Sequence, residues 1–131
     1  MIKFIKQHIN SLMWALIIMM LCGAPTSSFP TVRFLNIPHL DKVVHFVLYF
    51  VFTLLLVSEN NTLRLSGGIT KKSMLIGFIL AVAYGGIIEL MQMLVFTSRG
   101  AEIVDFLANF IGSITAILCY KLLNKLSRRL I

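Results

Sequence analysis

Glu89, Asp105 and His45 are the side chains of this sequence best suited to moving a proton, and each stands within or against a long apolar run. A carboxylate and an imidazole act as general acid and base when both reach one substrate atom. Gln92 and Asn109 add amide donors and acceptors, Asp41 adds a carboxylate, and Lys42 and Arg99 offer cations to an anionic headgroup. Together Asp41, Lys42, His45, Glu89, Gln92, Arg99, Asp105 and Asn109 form the candidate ligand-binding set, with His45, Glu89 and Asp105 the candidates for catalysis. An ionisable residue inside a membrane segment is costly, faces the bundle interior and by default marks function.

Two of these residues have a structural reading beside the functional one. His45 is either a packed histidine satisfied by Asp105 or Glu89, or a proton carrier whose charge changes near physiological pH. Arg99 either clamps a phosphate or carboxylate bidentately or pairs with Glu102 or Asp105 as a bridge. No metal is expected, because no ligand spacing such as His-Glu-x-x-His is present. No cofactor is implied either: the sequence lacks a Walker loop, a nucleophile elbow, a Cys-x-x-Cys pair and a dinucleotide fingerprint.

Spacing places the polar residues on common faces. Asp41 and His45 are separated by four residues, Glu89 and Gln92 by three, and Asp105, Asn109 and Gly112 follow at four and three, so each set lines one side of a helix. Glu89 lies about 12 Å from Thr97 at helical rise and Asn109 about 12 Å from Ala101. Equal depths across an antiparallel pair predict that the stripes meet in one polar pocket.

The elements that position these residues follow from composition. Of 131 residues 58% are hydrophobic and 13% charged, and mean hydropathy is +0.91. Soluble domains are about 25% charged, so the chain is read as an all-α integral membrane protein. A spanning helix needs about 20 residues, and four spans fit: residues 4–22, 40–58, 74–96 and 102–123, a single transmembrane domain over 1–131. The purely apolar part of the second, Val43 to Val57, reaches only about 22 Å, so that helix must begin near His39 and draw in Asp41 and His45. Lys3 and Lys6 before a short apolar core also suit a cleavable signal peptide. Leu21 is too large to precede a lipoprotein cysteine at Cys22, and Pro25 follows the best small-residue site, so the first segment is read as an uncleaved span.

Residues 24–40, with Pro25, Pro30 and Pro38, read as an apolar interfacial loop, and residues 58–73 as an exposed polar loop. A short turn at 97–101 makes the last two spans antiparallel neighbours. Cys22 and Cys119 fall in opposite leaflets, which disfavours a disulfide between them. Twelve basic against five acidic residues reflect topology rather than nucleic acid. With the N-terminus inside, nine Lys and Arg lie on the inner side and only Arg33, Lys42 and Arg99 outside. Both termini are therefore expected in the cytoplasm.

Asp41-Lys42-x-x-His45-Phe46, then Glu89-x-x-Gln92, then Arg99 and Asp105-x-x-x-Asn109-x-x-Gly112, in this order on successive spans, resemble the signature of VanZ-like membrane proteins. The resemblance covers about Asp41 to Ala116 and implies a compact helical bundle in the bacterial inner membrane, which the four spans read above would make a four-helix bundle with both termini cytoplasmic. It also implies that the motif residues line the pocket while Gly112 serves packing. The family's namesake is associated with resistance to the glycopeptide teicoplanin. Glu102 departs from the pattern, standing where a small hydroxyl residue would be expected.

The expected function is binding of an envelope lipid, a lipid-linked precursor or a lipoglycopeptide headgroup, an anionic group meeting Lys42 and Arg99. The alternatives are a membrane enzyme using His45 with Glu89 or Asp105 on such a headgroup, and a structural scaffold. Membrane lipids are the expected partners and nucleic acid is not; oligomeric state is not encoded in any of these features.

Overall fold

A computed structural model describes residues 2–23, 39–62, 70–95 and 102–130, all of them in or beside helices. Five helices follow in order: α1 Ile2–Gln7, α2 Ile9–Gly23, α3 Leu40–Thr62, α4 Lys71–Leu94 and α5 Ile103–Leu130. No strand occurs among the described residues. The loop expected at 24–40 falls outside them up to residue 38, as does the turn at 97–101.

Local signals set several helix ends. Thr70 has extended backbone and its hydroxyl accepts from the Ser73 amide at 3.1 Å, capping the start of α4. His39, just before α3, has φ 67°, a left-handed conformation that glycine adopts freely and that histidine, asparagine and aspartate enter more often than other side chains. Its carbonyl accepts from the amides of Lys42 and Val43.

The first apolar segment is not the single helix the sequence predicts. It breaks at His8 into α1 and the 15-residue α2, because the amides that open α2 have a partner elsewhere. Glu59, at the end of α3, accepts from Asn10 N at 3.1 Å and Ser11 N at 3.3 Å. An anion at exposed helix-start amides satisfies both their hydrogen bonds and the helix dipole. The same contact corrects the exposed loop expected from residue 58: α3 continues to Thr62, and Glu59 is buried.

α3 is the hub of the molecule. It packs most extensively against α5 and then α4, which also touch one another, while α2 leans on α3 and α4. Two glycines make this approach close. A Cβ on Gly112 of α5 would overlap the Phe46 backbone carbonyl of α3, and one on Gly77 of α4 would lie 2.6 Å from Val57 Cγ2. Ile18, Cys22, Leu48, Tyr49, Phe52, Leu56, Ala81 and Ile88 form the buried core. Tyrosine and tryptophan heads tie helices together: Trp14 Nε1 donates to Leu48 O, Tyr84 OH to Ala15 O and Tyr120 OH to Leu54 O.

Three helices, Leu40–Asn60, Lys71–Leu94 and Ile103–Leu123, are long and apolar enough to cross a membrane. At most 39% of any of these windows is buried within the chain. Their outward faces instead carry Val43, Val47, Leu75, Ile79, Leu90, Leu107, Ile111 and Leu118. Apolar surface this extensive and unpartnered is what a lipid-facing protein presents and a soluble monomer does not. α2, at 15 residues, spans about 22 Å on its own and falls short of the hydrocarbon core.

Candidate functional site

The end of the bundle where α3 and α5 begin, and where α2 and α4 finish, gathers most of the polar residues singled out from the sequence. The first cluster is ionic. Lys42 Nζ lies 2.6 Å from Asp41 Oδ2, 2.5 Å from Glu102 Oε2 and 2.9 Å from Asp105 Oδ1. A lysine ammonium has three N–H donors, and three carboxylates surround this one. Lys42 is thus committed to protein acids rather than free to meet an anionic headgroup as expected. Glu102, read from sequence as a departure, is a full member of the cluster.

Among the described residues Asp41, Glu102 and Asp105 are also the grouping whose oxygens lie close enough together to hold a cation. The Lys42 ammonium sits among them and supplies that charge itself. Among the described residues, one formal positive charge against three formal negative charges makes this cluster acidic.

One turn along α3 lies a second, drier cluster. His45 is 2% exposed, and its Nδ1 lies 2.9 Å from Asn109 Oδ1. With an amide oxygen facing it, Nδ1 is the donor, which leaves Nε2 as the ring's other polar atom. That atom stands 3.9 Å from Asp105 Oδ2, beyond hydrogen-bond range. Asp105 therefore joins the two clusters, close to Lys42 on one side and facing the ring on the other.

α4 closes the pocket. Gln92 Nε2 donates 3.0 Å to the Cys22 carbonyl at the end of α2, and Glu89 is buried one turn from Gly85. A Cβ on Gly85 would lie 3.2 Å from Tyr49 Cε1 and 3.4 Å from Asn109 Nδ2, so only glycine lets α4 approach these side chains without displacing them. Tyr49 OH, Gln92 Oε1 and Asn109 Nδ2 are buried with no hydrogen-bond partner among the described residues.

Of the eight predicted binding residues, Asp41, Lys42 and Asp105 are in direct contact, and His45 and Asn109 are paired. Gln92 is engaged with α2 rather than with either group. Glu89 is buried on α4 near Tyr49, while Arg99 lies outside the described residues. Tyr49 was not among the candidates, although it continues the four-residue stripe Asp41, His45, Tyr49 and Thr53. At the opposite end, Glu59, His8 and Ser11 form a buried polar group that the sequence reading also missed. His8 Nδ1 lies 3.6 Å from Glu59 Oε2.

An all-helical chain with lipid-length apolar helices and a buried acid–imidazole–amide pocket at one end belongs to the helical membrane proteins. The chain matches the VanZ/LLP1 family over residues 2–124, and it is a member of that family. No curated protein and no solved structure matches it significantly.

Proposed function

We propose that this VanZ-like membrane protein holds the headgroup of an envelope amphiphile, a lipid-linked precursor or a lipoglycopeptide, in the polar pocket between α3, α4 and α5. The observation that carries the reading is the set Tyr49 OH, Gln92 Oε1 and Asn109 Nδ2, polar atoms on α3, α4 and α5 that are buried without protein partners among the described residues. An unsatisfied buried group costs about 1–3 kcal/mol, and a headgroup rich in hydroxyls and amides answers both donors and acceptors. The acidic surround of Lys42 favours a headgroup that presents an ammonium there. Any phosphate would be met by Arg99, on the connection between α4 and α5. The apolar outer faces of α3 and α5 leave the tail in lipid.

In this reading the chain crosses the bacterial inner membrane four times, α1 and α2 together making the first crossing. Both termini are cytoplasmic, a placement that the distribution of basic residues supports, and the pocket opens to the outer leaflet. Holding a lipoglycopeptide or its lipid-linked target there would lower susceptibility to teicoplanin.

Native mass spectrometry of the detergent-purified protein tests the proposal. The wild type should carry a selected envelope amphiphile that Tyr49→Phe and Gln92→Leu weaken, with Leu12→Ala, exposed on α2 away from the pocket, as the unaffected control. Absence of any selected amphiphile in the wild type, or its undiminished retention by both folded pocket variants, overturns the reading.

A second reading, acid–base catalysis on the same headgroup, is favoured by His45 Nε2 lying 3.9 Å from Asp105 Oδ2 in the buried site. It predicts that a bound headgroup is chemically altered by the wild type and left intact by His45→Ala/Glu89→Gln. Undiminished conversion by that double variant removes it.

A further inference from the structure

A groove lies away from the polar pocket. It runs between α4 and α5 at the other end of the bundle, where α4 begins, with a volume of about 620 Å³. Its walls are apolar, Leu75 and Phe78 from α4 against Ile114 and Leu118 from α5, and Lys71 and Lys121 stand on its rim. Phe78 packs edge-on to Phe110 at 5.5 Å between ring centroids, which fixes that wall in place.

We infer that this groove is a second lipid site, seating one anionic phospholipid with an acyl chain along Leu75, Phe78, Ile114 and Leu118 and its phosphate between Lys71 and Lys121. Charge complementarity selects the occupant. Neither lysine has a carboxylate partner among the described residues, and two ammonium groups on one rim repel unless an anion lies between them. Lys71 is the first residue of α4, where the partial positive charge of the helix start adds to that of the side chain. Leu75 is 58% and Leu118 56% exposed, so the strip is open to a chain lying alongside. An apolar strip ending in paired cations fits a molecule with a tail and a phosphate, and basic pockets between membrane helices take such headgroups. A peptide helix would match the strip but leave both ammonium groups without a counter-charge.

The site is remote from the pocket of α3, α4 and α5 and stands or falls separately from it. The test is native mass spectrometry of the full chain from vesicles of equal parts phosphatidylglycerol and phosphatidylcholine. The wild type should retain one phosphatidylglycerol in preference to phosphatidylcholine. Lys71→Gln/Lys121→Gln should weaken retention about thirtyfold, the worth of two basic contacts at a membrane surface. Lys72→Gln/Lys125→Gln removes the same charge from exposed neighbours and should leave retention unchanged. Leu118→Trp, which fills the groove at an exposed position and keeps both lysines, should displace the lipid. Equal loss in the two glutamine pairs, no preference between the lipids, retention in Leu118→Trp, or a second protein chain in place of the lipid would each overturn the inference.

Discussion

At the scale of the residue, Tyr49 separates binding from stability. Its hydroxyl is buried without a partner among the described residues, while its ring packs in the core against Phe52 at 6.2 Å. Tyr49→Phe keeps the ring and deletes the unsatisfied group, so the lipid-free protein should gain about 1 kcal/mol in denaturant titration in detergent. The same variant should hold the amphiphile less well, and a loss of stability without ligand would argue that the hydroxyl is satisfied within the fold. Lys42 gives the opposite case. Lys42→Met leaves three carboxylates facing one another and should destabilise by about 2 kcal/mol, the scale of hydrogen bonds to a charged group. Glu102→Gln should cost under about 1 kcal/mol, since that carboxylate is 57% exposed and water screens the pair. Equal losses in the two variants would show that burial does not rank these contacts. Much at this scale was legible, because four-residue spacing puts Asp41 above His45 and Asp105 above Asn109. Which atom meets which was not. Nothing in the spacing says that Lys42 turns toward acids, and Tyr49, among Phe46, Phe50 and Phe52, reads as one more packing ring.

Elements depend on how near two backbones come. Gly112 lets α5 touch the Phe46 carbonyl of α3, and a methyl group there has no flexible side chain to push aside. Gly112→Ala should therefore part α3 from α5 and destabilise by about 1–3 kcal/mol, the usual range for overpacking. Gly86→Ala meets only Phe106 Cε2 at 3.8 Å, ordinary contact, and should be neutral or stabilise α4 by up to about 1 kcal/mol through helix propensity. Thermal unfolding of the two alanine variants side by side checks the contrast, and similar effects would mean that the α3–α5 contact is not tight. The three long helices were legible because each is an apolar run near the length a bilayer demands. The break at His8 was not, since the groups that start α2 afresh belong to Glu59, 48 positions from Ser11. Contacts between distant residues leave no periodic trace in a sequence.

For the molecule as a whole, function depends on which end faces which side of the membrane. The polar pocket and the α4–α5 groove lie at opposite ends, so the proposed orientation, with the pocket outside and the groove and termini inside, assigns both. The nine-to-three bias of basic residues favours that orientation, and the folded chain adds positions at which to probe it. Glu102 is exposed at the pocket end, and Lys121 and Lys125 are exposed at the other. In a background with Cys22 and Cys119 replaced by alanine, a membrane-impermeant thiol reagent applied to intact cells from outside should label Glu102→Cys. It should reach Lys125→Cys only after the membrane is permeabilised. The reverse pattern would turn the pocket toward the cytoplasm, where an amphiphile arriving at the outer leaflet could not enter it. The acidic ring around Lys42 and the paired atoms of His45 and Asn109 would then have to serve a ligand made and held on the inner side, and any link to a drug acting outside would fail with the orientation.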